Sequence, residues 1–113
     1  MLITSQDDFD SFIERALQSQ ILAIDTEFMR EKTFYPKLCL LQLQTDTETA
    51  IVDPFEVPNI KALEAAFTAP GLLKVFHAGT QDIEILFHAV GVMPNPVFDT
   101  QIAATLLGHT QQV

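Results

Sequence analysis

The chain has 113 residues, 48% of them apolar, with no long polar or low-complexity tract, which describes one folded domain with a core of limited size and argues against disorder. Six basic against fifteen acidic side chains leave a formal charge of −9, which argues against gripping nucleic acid by broad phosphate neutralisation but not against meeting phosphate through bound cations. No apolar run approaches the roughly 20 residues of a membrane span, no basic stretch precedes an apolar run in Met1–Asp7, and Cys39 is the single cysteine, so the expectation is a cytoplasmic protein without membrane segment, signal peptide or internal disulfide.

In chain order, Ser5 to Ser19 reads as a helix. Ser5 caps it with Asp8 three residues on, and Phe9, Phe12, Ile13, Ala16 and Leu17 form one buried stripe. Ile21-Leu22-Ala23-Ile24 is a short apolar run of the kind found in a doubly buried strand, and it ends at Asp25. Residues 28–37 read as a mixed loop. Leu38–Gln44 and Ala50–Asp53, joined by the polar turn Thr45–Thr49, form an antiparallel hairpin. A helix follows Pro58 and runs to Thr68, with Ile60, Leu63, Ala66 and Phe67 on its apolar face. Leu72–Phe76 is a fourth strand. The next helix starts at Thr80, sets Ile83, Leu86, Phe87 and Val90 on one face and closes at Gly91. Val97-Phe98 is a very short strand, and Asp99 caps a last helix to about Leu107. This order predicts an α/β fold: an antiparallel meander followed by parallel strands in one mixed sheet, with flanking helices.

Asp25-Thr26-Glu27 sits where the first apolar strand ends. A strand period of two places both carboxylates on one face, about 6.6 Å apart, a spacing that lets them converge on a hard divalent cation. The other reading is a solvated strand-end pair. The same tripeptide recurs at Asp46-Thr47-Glu48, inside the hairpin turn, where carboxylates are ordinarily solvated. Asp82 falls in the first turn of the helix from Thr80. It reads either as a dipole partner of that helix or as a third carboxylate. If the fourth strand runs parallel beside the first, Asp82 lies at the same sheet end as Asp25 and Glu27, where open α/β sheets place their sites. Asp99 reads as a helix cap. His77 reads as a hydrogen-bonded structural residue or as a substrate contact. Cys39 is a small core residue.

Ile24-Asp25-Thr26-Glu27-Phe28, followed by Phe34-Tyr35-Pro36-Lys37-Leu38 and Leu40-Leu41-Gln42-Leu43, resembles the first exonuclease motif of ribonuclease D. Phe76-His77-Ala78-Gly79-Thr80-Gln81-Asp82-Ile83-Glu84 resembles the second, and Phe98–Ala104 the segment that follows. The resemblance covers nearly the whole chain, in order. It implies a ribonuclease H-like fold of the DEDD exonuclease superfamily and a 3′-5′ exoribonuclease that trims RNA 3′ ends, transfer-RNA precursors among them, to nucleoside 5′-monophosphates. It implies two divalent cations, Mg²⁺ or Mn²⁺, held by Asp25, Glu27 and Asp82 as catalytic and metal-binding residues. Asp25 would bridge both, Glu27 would bind one and help position the nucleophile, and Asp82 would ligate directly or through water. Phe28 and His77 are the implied substrate contacts. The family's third motif, Tyr-x-x-x-Asp, is absent from the 113 residues, as are its C-terminal helical domains. The expectation is therefore the front portion of an exonuclease domain, truncated at its C-terminus and catalytically incomplete alone. Two rivals stand beside it: a non-catalytic ribonuclease H-like module that binds RNA or protein, and a DNA-directed proofreading exonuclease.

Overall fold

Six strands hydrogen-bond into one mixed sheet in this protein, seen in a computed structural model that describes residues 1–29, 37–57, 59–77 and 80–100. The elements are β1 (Leu2–Ile3), α1 (Gln6–Ala16), β2 (Ile21–Met29), β3 (Lys37–Gln44), β4 (Thr49–Val52), a 3-10 turn (Ile60–Ala62), α2 (Leu63–Thr68), β5 (Leu73–Phe76), α3 (Thr80–Val90) and β6 (Val97–Asp99). The sheet order is β1-β4-β3-β2-β5-β6. The β2-β3 and β3-β4 pairs are antiparallel, whereas β1-β4, β2-β5 and β5-β6 are parallel. The meander followed by parallel strands is the architecture expected. The edge strand Leu2–Ile3 is an addition, because two residues are too short to show a period in sequence.

Alternation sorts the sheet into two faces. Leu22, Ile24 and Thr26 of β2, Leu41 and Leu43 of β3, and Ala50 and Val52 of β4 are buried. The apolar ones share one core with Phe9, Phe12, Ile13 and Ala16 of α1, Leu63, Ala66 and Phe67 of α2, and Leu86 and Val90 of α3. Their neighbours Asp25, Glu27, Gln44 and Ile51 are exposed. The apolar stripe of α1 thus buries Phe9, Phe12, Ile13 and Ala16 as its period predicts, whereas Leu17, expected in the same stripe, lies past the helix end and is exposed. Ser5 caps this helix by accepting from the Asp8 amide at 3.2 Å. The helix stops at Ala16, three residues earlier than expected, as Leu17–Ser19 turn toward β2.

Two differences bear on the site. First, β2 does not end at Asp25 but runs to Met29, because β3 pairs with it throughout: Asp25 opposite Gln42, Glu27 opposite Leu40, Met29 opposite Lys37. Phe28, Met29 and Lys37 are therefore strand rather than loop, while the rest of the expected loop, residues 30–36, lies outside the described residues. Second, the register slips between Glu27 and Phe28, so that Phe28 faces Leu38. Such irregularities bend a strand and re-aim its side chains. The helix expected after Asp99 also falls outside the described residues, beyond Thr100.

Lys74 of β5 belongs to the core, with 0% of its surface exposed. Its ammonium donates to the Ala69 carbonyl at 2.8 Å and to the Leu72 carbonyl at 2.6 Å. Ala69 is the residue after α2, so the buried cation sits where the helix dipole favours positive charge.

Candidate active site

The position of Asp82 follows from one strand pairing. β2 and β5 run parallel with Ile21 opposite Leu73 and Ala23 opposite Val75, and the pairing stops there. Beyond Ala23, β2 continues beside β3 alone, whereas β5 ends at Phe76 and the chain turns into α3 at Thr80. The two strands separate at their C-terminal ends, and the first turn of α3 sits beside the split. This is the crevice in which open α/β sheets bind ligands.

Asp25 and Glu27 are both exposed on one face of β2, as the period of two requires. Thr26, between them, is 8% exposed and points to the opposite face. Its hydroxyl donates to Oδ1 of Asp82. Asp82 is half-buried in the first turn of α3. Burial pushes its carboxyl above the ordinary carboxylate range; the Thr26 hydrogen bond opposes that shift, and the negative charge of Asp25 adds to it.

The three carboxylates share this rim without enclosing a common point. Among the described residues, no three Asp, Glu, His or Cys side chains gather closely enough to surround a cation. Asp25 and Glu27 project from one face of β2, and Asp82 reaches the same strand from α3 through the hydroxyl of Thr26, which lies between them in sequence. The donor set nonetheless fits a hard divalent cation. All three groups are carboxylates, and Asp82 is held in a poorly solvated position against a like charge, the imbalance that a cation relieves.

A cleft of about 330 Å³ adjoins Asp25. Ala23, Gln42, Val75, His77 and Thr100 line it together with Asp25. His77 is exposed, with Nδ1 2.6 Å from the Thr100 hydroxyl, so its ring is fixed by a partner at the far end of β6. Phe28 is half-buried in β2, one residue beyond Glu27. Gln42, Thr100 and Thr26 were not singled out by sequence. Gln42 had a signal, a polar break in the apolar run Leu40-Leu41-Gln42-Leu43, and Thr26 had one in its position between two carboxylates.

The second Asp-Thr-Glu is a structural turn. The Thr45 hydroxyl accepts from the Thr47 amide at 3.2 Å and from the Glu48 amide at 3.0 Å. Glu48 accepts from Arg15 of α1 at 3.0 Å, joining the hairpin to the first helix. His88 is exposed on α3, its ring edge-on to Phe87; His109 lies outside the described residues. Among the described residues, no helix is long and apolar enough to cross a membrane.

Known proteins resemble this chain along nearly its whole length. The chain matches a family model described as 3′-5′ exonuclease over residues 1–113. It is 44% identical over 115 residues to ribonuclease D of Zymomonas mobilis, an alignment covering 99% of this chain and 29% of that protein. It is 40% identical over 113 residues to ribonuclease D of Nitrobacter hamburgensis, covering 99% of this chain and 30% of that one. The fold matches the crystal structure of Escherichia coli RNase D, an exoribonuclease involved in structured RNA processing, with a TM-score of 0.93 and 34% identity over 100% of this chain and 30% of that chain. It matches the catalytic core of RRP6 from Trypanosoma brucei with a TM-score of 0.87 and 28% identity, over 97% of this chain and 31% of that chain. The chain thus spans about 30% of the length of the ribonuclease D relatives.

Proposed function

Since the chain belongs to the ribonuclease D-type 3′-5′ exonuclease family, we propose that it carries part of the metal site of a 3′-5′ exoribonuclease, with Asp25, Glu27 and Asp82 as ligands of two divalent cations, Mg²⁺ or Mn²⁺. The observation that carries this reading is the hydrogen bond from Thr26, the residue between Asp25 and Glu27, to Asp82, at the sheet end where the β2-β5 pairing stops. Bound divalent cations supply activation of water and stabilisation of the charge that develops on a scissile phosphate. The chain's own residues divide the remaining work. Asp25 and Glu27, exposed on the same face, hold cations where a phosphodiester can reach them. Asp82 completes the negative rim from α3. Phe28 and His77 contact the terminal nucleotides. An acidic protein that presents cations at this rim can approach phosphate that its net charge of −9 would otherwise repel.

The substrate class is RNA 3′ ends, transfer-RNA precursors among them, and the products are nucleoside 5′-monophosphates. Support comes from the identity to ribonuclease D proteins along nearly the whole chain. A cytoplasmic setting accords with a lone cysteine, Cys39. The 113 residues contain no Tyr-x-x-x-Asp, so by themselves they are expected to bind cation weakly and to release little product.

The test uses a protein that carries this segment at the length of its relatives. With Mg²⁺ and a 5′-labelled RNA, the expected result is a ladder that shortens from the 3′ end, abolished by EDTA and by Asp25→Asn. A ladder that persists undiminished in Asp25→Asn removes Asp25 from the mechanism. Equal trimming of single-stranded DNA turns the reading toward a DNA-directed exonuclease.

A further inference from the structure

We infer that Thr26 is a positioning residue for the metal site, its hydroxyl fixing the carboxylate of Asp82 against β2. The inference rests on the proposed function and deepens it. Thr26 lies between two carboxylates in sequence, yet alternation turns its side chain away from both and into the protein, where it is 8% exposed. On that side it meets Asp82 and donates to Oδ1. Strand β2 and helix α3 are 56 residues apart at this contact, and no β2-β5 pairing reaches it. The bond therefore joins the strand that bears Asp25 and Glu27 to the helix that bears Asp82, across the split in the sheet. An aspartate has two side-chain torsions to fix, and a single donor that engages one oxygen removes most of that freedom.

A side chain that orients a metal ligand by hydrogen bonding affects metal affinity about 10–100-fold when removed. Valine replaces threonine with the same shape and the same preference for strands, so Thr26→Val removes the donor and little else.

The experiment measures Mn²⁺ binding to the 113-residue chain from the paramagnetic signal of free Mn²⁺. Wild type, Asp25→Asn, Thr26→Val, Thr26→Ser, Asp82→Asn and the Thr26→Val/Asp82→Asn double variant are compared, with melting temperature recorded for each. The expected result is binding about 10-fold weaker in Thr26→Val at a nearly unchanged melting temperature. Thr26→Ser, which keeps the hydroxyl, restores affinity to within about twofold of wild type. In the Asp82→Asn background, Thr26→Val has no further effect, because the group it positions is already gone. A merely structural threonine would change the melting temperature and leave the affinity and this coupling untouched. Equal or tighter Mn²⁺ binding by Thr26→Val overturns the inference while leaving the proposed function standing. Absence of any Mn²⁺ binding that Asp25→Asn weakens overturns both.

Discussion

Ala23 of β2 lies opposite Val75 of β5 in parallel register, and this is the last pair the two strands make. One residue earlier or later, and the turn from β5 into α3 would meet β2 at a different height, away from Asp25. The carboxylates of β2 itself carry little of the fold, since Asp25 and Glu27 are both exposed. Asp25→Asn is therefore expected to melt at nearly the wild-type temperature without metal. Saturating Mn²⁺ separates the two. At a concentration ten times its dissociation constant, a ligand stabilises the folded state by about 1.4 kcal/mol, a rise of several degrees in a domain of this size. Thermal melts with and without Mn²⁺ should show that rise in wild type and not in Asp25→Asn.

The second Asp-Thr-Glu provides an internal control. Glu48 is paired with Arg15, and the Thr45 hydroxyl holds the turn. Glu48→Gln together with Asp46→Asn should leave Mn²⁺ affinity unchanged and lower stability slightly, as loss of a surface ion pair does. Mn²⁺ titration of this double variant checks it. A marked loss of affinity would mean that the hairpin turn takes part in the site.

Lys74 predicts a pH dependence. Burial lowers its pKa from the ordinary value of 10.5. At pH values below the folded pKa both states carry the proton, and the full cost of burying the cation is present. As pH rises through the folded pKa toward 10.5, the folded protein loses its proton before the unfolded chain does, and that cost is relieved. Wild type should therefore gain stability relative to Lys74→Met as pH rises toward 10.5. Urea denaturation of both proteins at neutral pH and near pH 10 measures the difference. A difference that stays constant would show that Lys74 titrates alike in both states.

Leu22 anchors β2 from the core side and has 0% exposure. Leu22→Ala should cost about 3 kcal/mol by lost burial and the cavity left behind. Chemical denaturation gives the value. A cost under about 1 kcal/mol would mean that the site-bearing strand is not packed as described.

Much of the scaffold was legible because its signals are local. The stripe Phe9, Phe12, Ile13, Ala16 has a helical period, and Ile21–Ile24 and Leu38–Gln44 are apolar runs bounded by turns, so their elements and the mixed sheet could be read directly. What escaped depended on partners distant in sequence. β2 extends past Asp25 because β3 pairs with it as far as Met29 and Lys37, and no property of Phe28-Met29 announces that. Leu2–Ile3 is a strand only because β4 lies beside it. The burial of Lys74 depends on carbonyls supplied by Ala69 and Leu72, which nothing in the run Leu72–Phe76 announces. In the site, the acidic residues drew attention by type and spacing. Thr26 did not, since its importance lies in a bond to a residue 56 positions away.

The most direct test places the cation. In a two-dimensional amide NMR spectrum of the ¹⁵N-labelled chain, substoichiometric Mn²⁺ broadens the signals of residues within about 15 Å of where it binds. The predicted result is broadening concentrated at Ile24–Phe28 and in the first turn of α3 around Asp82, and abolished by Asp25→Asn. Broadening spread over the acidic surface of α1, at Asp7, Asp8 and Asp10, or over the Asp46 turn, with the Asp25 rim left sharp, would contradict it.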